Sequence, residues 1–200
     1  MKYDKAKHHR RSIRLKDYDY SQRGAYFVTI CAWNRECLFG NIVNGKIQTN
    51  EIGATVQGFW NAIPEHFQHT ELDEFIIMPN HTHGIIAIAN NDRRGEVSSP
   101  ILKRTGSLQK VREIIIKGGA TPPLHKRTLG QIIAYFKYQS TKKINQIRNT
   151  PGMPVWQRNY YEHIIRNEED MDSIREYIRY NPLKWDEDEE NPDSKRRGDS

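Results

Sequence analysis

The stretch LDEFIIMPNHTHGIIAIA, residues 72–89, decides how this chain folds. Two apolar runs, 72–78 and 81–89, flank Pro79-Asn80, a pair suited to a reversal of direction, and so predict two strands that pair across it. Side chains alternate along a strand, so His81 and His83 project from one face and Thr82 from the other.

Upstream, residues 25–33 (AYFVTICAW) are aromatic and β-branched, and 37–48 carry Asn44-Gly45, the sequence of a two-residue hairpin turn. Residues 50–67 change period: Ile52, Val56, Phe59, Trp60 and Ile63 fall at helical spacing until Pro64 disturbs them. Downstream, 90–127 holds Gly95, Pro100, Gly118, Gly119, Pro122 and Pro123 and is expected to be mainly a mobile connection, with a short element near 111–116. A helix over 129–147 places Ile132, Ile133, Phe136 and Ile144 on one side. A second helix spans 167–180, with Asn167 as N-cap, Glu168, Glu169 and Asp170 at its positive end, and Pro182 as its stop. This order predicts an α+β domain, an antiparallel sheet with helices packed mainly on one face, and no internal repeat.

A chain of 200 residues can bury one sizeable core, so one active site is expected. The formal net charge is +6, which favours a polyanionic partner through counterion release. Residues 1–23 form a basic segment whose Arg10, Arg11 and Arg14 are candidates for DNA phosphates, although a charge run is more often a solvated segment. Residues 186–200 open with five acidic residues and are expected to be a disordered tail. No apolar run approaches the roughly 20 residues that span a bilayer. Cys31 and Cys37 form neither a CxxC pair nor a disulfide framework, so a cytoplasmic protein is expected.

Two imidazoles side by side on a strand suit a divalent cation, although an isolated HxH is more often a pair of ordinary strand histidines. The surrounding run changes the weight: MPNHTHGIIAI resembles the metal-binding strand of the HUH single-strand nucleases. Together with VWQRNYYEHIIRNEED and REYIRYNPLKW it resembles the REP-associated tyrosine transposases, from 24 to 185 apart from 90–127. Thr82 stands where the family has a hydrophobic residue. The resemblance implies a ferredoxin-like, HUH-type α+β fold and a nucleophilic tyrosine four residues before Asn-Pro, which selects Tyr177. Independently, Tyr177 and Asn181 are an i, i+4 pair and meet on one helix face. By resemblance, His81, His83 and the Asn181 amide hold Mg²⁺ or Mn²⁺, and the chain cuts and joins single-stranded or hairpin DNA through a 5′-phosphotyrosine, as a monomer or a homodimer.

Tyr138, Tyr160, Tyr161 and Tyr180 are rival nucleophiles without both of those features. Trp156, Gln157 and Arg158 are candidate DNA contacts, with Trp156 expected in the core. Glu162 and His163 are candidate supports for the metal ligands. Two other functions stay open: a structured-DNA-binding protein that keeps the fold without catalysis, and a zinc hydrolase using His81, His83 and a carboxylate such as Glu162.

Overall fold

The structure, a computed structural model, describes residues 19–89, 128–188 and 190–192. Arg10, Arg11, Arg14, the connection over 90–127 and the end of the chain from 193 lie outside the described residues.

The strands are β1 (Gly24–Cys31), β2 (Gly40–Val43), β3 (Lys46–Thr49), β4 (Thr70–Ile77), β5 (His81–Ile88) and β6 (Tyr161–Ile165). The α-helices are α1 (Glu51–Asn61), α2 (Ile63–His66), α3 (Leu129–Arg148) and α4 (Glu168–Tyr180). Four strands form one sheet in the order β4-β5-β1-β6, antiparallel throughout, and β2 with β3 form a separate hairpin. Asn44 (φ 51°) and Gly45 (φ 69°) occupy the left-handed region that the hairpin turn demands.

Alternation along the central strand divides the core in two. Tyr26, Val28 and Ile30 face a cluster with Val56, Trp60, Ile63, Ile132, Phe136 and Ile144, which packs α1, α2 and α3 on one side of the sheet. Ala25 and Phe27 face the other way, against Ile85, Ala87, Ile165, Met171 and Ile178, so that among the described residues α4 covers the second side. Gly84 belongs to the first side. A Cβ there would run into the Trp60 ring, and its absence lets Trp60 stack on Phe75 with centroids 4.4 Å apart.

Helix starts follow the sequence closely. Asn50 caps α1 by accepting from the Gly53 N–H at 2.9 Å, Thr128 and Gln131 form a capping box on α3, and Asn167 accepts from the Asp170 N–H at 2.7 Å on α4. Two segments depart from expectation. β6 was not foreseen, because its five residues (YEHII) include Glu162 and His163 and only pairing with β1 makes them a strand. Nor does the acidic run leave the fold at 186. Residues Asn181–Glu187 form a 3₁₀ helix, and the Asn80 amide then donates to the Glu190 carbonyl at 2.6 Å while Arg35 pairs with the Glu190 carboxylate at 2.8 Å. A run of acids looks solvated in sequence; here partners far away in the chain hold it down. Among the described residues, no helix is long and apolar enough to cross a membrane.

Candidate metal and tyrosine site

Strand parity builds the site. His81 lies opposite Cys31 and His83 opposite Thr29 in the β1–β5 ladder, which puts both imidazoles on the face that α4 covers. Both rings are buried. His81 Nδ1–H donates to Asn80 Oδ1 at 2.9 Å, and because the Asn80 amide nitrogen is itself donating to the Arg35 and Glu190 carbonyls, that oxygen can only accept. The tautomer of His81 follows: its Nε2 carries a lone pair, able to accept from His83 Nε2–H or to bind a cation. His83 Nδ1 meets the Thr29 hydroxyl at 2.8 Å, a group able to donate or accept.

The two Nε2 atoms converge at 2.9 Å. Burial, aided by Arg35, pushes His81 down to about 3, and burial followed by His81 pushes His83 well below its ordinary value, so both rings are neutral at physiological pH. Neutral imidazoles are the form that binds a metal.

α4 brings the phenol. The Tyr177 ring stands 5.2 Å from the His83 ring and 5.9 Å from Phe27, edge-on to Phe27, while Phe27 stacks on His83 at 5.6 Å. One turn on, Asn181 is buried, and its Oδ1 has no hydrogen-bond partner. Burial first, then the Asp188 carboxylate, raise the Tyr177 pKa, and a hydrogen bond from the Asn181 amide acts the other way. Phenol and imidazoles therefore meet in one chain, with the Asn181 amide against the phenol.

The helix is pinned there by charge. Arg175 grips Asp73 through Nε at 2.8 Å and Nη2 at 2.7 Å, its other nitrogen reaches Asp172 at 2.8 Å, and Arg179 pairs with Glu74. Asp73 and Glu74 sit where the β4–β5 register shifts, and the side chains of Arg175 and Asp73 are buried. The fork geometry of a guanidinium on a carboxylate fixes the rotation of α4 as well as its position.

A cavity of about 740 Å³ opens over these groups, lined among others by Thr29, His81, His83, Gln157, His163, Tyr177 and Asp188. Gln157 and His163 thus join the site, His163 through a 2.9 Å contact with Asp170. The other candidates do not. Glu162 pairs with Val28 and so lies on the opposite face of the sheet from the histidines. Trp156 is buried among Phe39 and Phe136 and donates to Ser140 at 2.9 Å, which leaves no ring face for a base. Arg158 is exposed, and its backbone carbonyl accepts from Lys137 at 3.4 Å. Thr82 Oγ1 is buried on the core side without a partner. Sequence reasoning missed Asn80, Thr29 and Asp188. Asn80 adjoins the histidines in sequence, but Thr29 is found only through its pairing with His83.

The donor set fits a cation. Two nitrogens at a right angle, each about 2.1 Å from one ion, lie about 3 Å apart, close to the separation of the Nε2 pair. The Asn181 oxygen, buried beside Tyr177 without a hydrogen-bond partner, is of the donor type that Mg²⁺ and Mn²⁺ accept. Among the described residues, no three His, Cys, Asp or Glu side chains form a ready cluster, so Glu162 gives no zinc-hydrolase triad with His81 and His83.

No family model matches the chain. An uncharacterised protein of Haemophilus influenzae is 44% identical over 188 residues, 94% of this chain and 96% of that protein. A second protein of that organism, carrying the name "Putative REP-associated tyrosine transposase", is 23% identical over 166 residues, 83% of this chain and 74% of its own length. Among solved structures, a REP-associated tyrosine transposase bound to a REP hairpin superposes with a TM-score of 0.52 at 16% identity, over 86% of this chain and 74% of that one. The α+β architecture is therefore that of a REP transposase.

Proposed function

We propose, for a chain that belongs to the same family as the Haemophilus influenzae protein to which it is 44% identical over 188 residues, a metal-dependent enzyme that cleaves single-stranded DNA and transfers the strand through Tyr177. The observation that carries this reading is the Tyr177 ring 5.2 Å from His83, on the face where two imidazole nitrogens converge at 2.9 Å.

In this reading the Tyr177 oxygen attacks a phosphodiester phosphorus, forming a Tyr–O–P bond as the bond from phosphorus to the 3′ oxygen breaks. The phenol proton leaves to solvent and the departing 3′ oxygen takes one up, giving a free 3′-hydroxyl and a 5′-phosphotyrosine. One phosphate ester replaces another of similar energy, so attack by a 3′-hydroxyl reverses the step and joins strands without ATP. His81, His83 and the Asn181 amide oxygen would hold Mg²⁺ or Mn²⁺, which supplies charge neutralisation and polarises the phosphoryl oxygen. The chain's own residues do the positioning: Phe27 packs against both the phenol and His83, Asn80 and Thr29 hold the imidazoles, and the Arg175–Asp73 pair holds the helix. Because a tyrosine of ordinary pKa is already a phenol at neutral pH, and partial burial shifts Tyr177 further that way, the protein stripped of divalent ions should be inert.

Hairpin DNA is the proposed partner, supported by the net charge of +6 and by a protein of this fold solved with a REP hairpin. The test uses the full chain, Mn²⁺ or Mg²⁺, and 3′-labelled oligonucleotides carrying a hairpin flanked by randomised single strands. Wild type should yield a denaturant-resistant protein–DNA adduct and Tyr177→Phe none. An equally strong adduct from the variant would sink the assignment, and salt-dependent binding without metal-stimulated cleavage would favour a non-catalytic structured-DNA-binding protein.

A further inference from the structure

We propose that Asp188 is a further ligand of the cation site, its Oδ2 supplying the negative charge that His81, His83 and Asn181 lack. The inference rests on the metal-dependent reading above and deepens it.

The segment that follows the tyrosine helix returns across the site. Asp188 Oδ1 is occupied, accepting the Glu190 N–H at 2.8 Å, which turns Oδ2 toward His81 Nε2 at 3.8 Å. The carboxylate lines the same cavity as both histidines and Tyr177. Its compensation is partial: Oδ1 accepts the Glu190 N–H and the Arg35 guanidinium, itself paired with Glu190 at 2.8 Å, attracts the carboxylate from further off, but Oδ2 faces an imidazole nitrogen that carries a lone pair rather than a proton. A cation between Oδ2 and that lone pair would satisfy both. The carboxylate is not yet at ligand distance: adjacent ligands of one small cation stand about 3 Å apart, so Oδ2 has to advance by roughly 1 Å.

The chemistry of the other donors says why a carboxylate belongs here. Two imidazoles and an amide are all neutral and suit borderline metals, whereas Mg²⁺ and Mn²⁺ are held mainly by charged oxygen. Asp188 thus biases the site toward hard ions. It also couples the stretch beyond Trp185 to metal loading, because the Asp188 carbonyl accepts from the Asn191 N–H at 3.0 Å and the Asn191 amide returns to the Trp185 carbonyl at 2.9 Å.

The test is a titration of the full-length protein, free of DNA, with MnCl₂, followed by calorimetry and by loss of the free-ion paramagnetic resonance signal. Asp188→Asn retains the acceptor for the Glu190 N–H, and a thermal melt without metal checks that it folds. Its Mn²⁺ affinity should fall about tenfold or more, its Mg²⁺ affinity likewise, and its Zn²⁺ affinity by less. Glu187→Gln, an exposed neighbour, should bind as wild type. Unchanged Mn²⁺ affinity in Asp188→Asn, or an equal loss in Glu187→Gln, overturns the proposal. If His81→Ala has meanwhile lost binding, the metal reading survives. If wild type binds no Mn²⁺, or His81→Ala binds as well as wild type, that reading falls too. A higher adduct yield from Asp188→Asn at unchanged affinity would make Asp188 an obstruction rather than a ligand.

Discussion

Cys31 lies opposite His81 in the ladder and lines the same cavity, yet its chemistry is suppressed. Burial first, and the Glu190 carboxylate next, push its thiol up to about 11. A raised thiol pKa means that the thiolate, the reactive form, is scarce at pH 8 and accumulates only as pH climbs toward that value. Cys37, by contrast, is exposed. Iodoacetamide at pH 8 should therefore alkylate Cys37 well before Cys31, with the Cys31 rate rising steadily to about pH 11; peptide mass spectrometry over a pH series reads both. Equal rates at pH 8 would show that the wall of the cavity is open around Cys31. At this scale much was legible. Alternation alone put His81 and His83 on one face, and i, i+4 spacing alone joined Tyr177 to Asn181. What the sequence concealed was the hydrogen-bonded support, since Thr29 reaches His83 from 54 residues away.

The element that matters most is α4, and its attachment is ionic where it is not apolar. Met171 and Ile178 bury its inner face, while Arg175 and Arg179 bind the irregular stretch of β4. Breaking a buried ion pair by removing one partner strands the other charge, at about 3–5 kcal/mol, whereas replacing both with apolar residues of similar volume is often close to neutral. Asp73→Ala should thus lower stability by about that amount and reduce adduct formation with it. The double variant Asp73→Leu with Arg175→Met should regain most of the stability. Denaturant unfolding measures the first effect and the adduct assay the second; a stable Asp73→Ala protein with full activity would mean the pair does not hold the helix. The sequence showed that α4 is a helix and where it starts, because caps and charge at a helix end are local. It did not show where the helix docks, because Asp73 is 102 residues distant.

At the scale of the whole molecule, one chain supplies every proposed catalytic group, with His83 and Tyr177 5.2 Å apart in the same protomer. A mixture of His81→Ala and Tyr177→Phe proteins should therefore form no adduct beyond the sum of the separate variants. Recovery of adduct in the mixture would mean that the tyrosine of one copy serves the histidine pair of another. The expected antiparallel sheet and its helices are present, with α1, α2 and α3 on one face and α4 on the other.

Alternation, turn chemistry and capping are properties of a few consecutive residues. The amino-acid sequence by itself therefore determined the strands around Pro79-Asn80, the hairpin at Asn44-Gly45, the helix starts and the shared face of the two histidines. Only the tertiary structure decided what depends on distant pairing. β6 became a strand because β1 accepted it, and that register turned Glu162 away from the site while keeping His163 beside it. The acidic segment folded back so that Asp188 came within 3.8 Å of His81. The physical reason is the same throughout: which face of a sheet a helix covers, and which charge finds a partner, are settled by contacts between residues a hundred positions apart, and no local pattern records them.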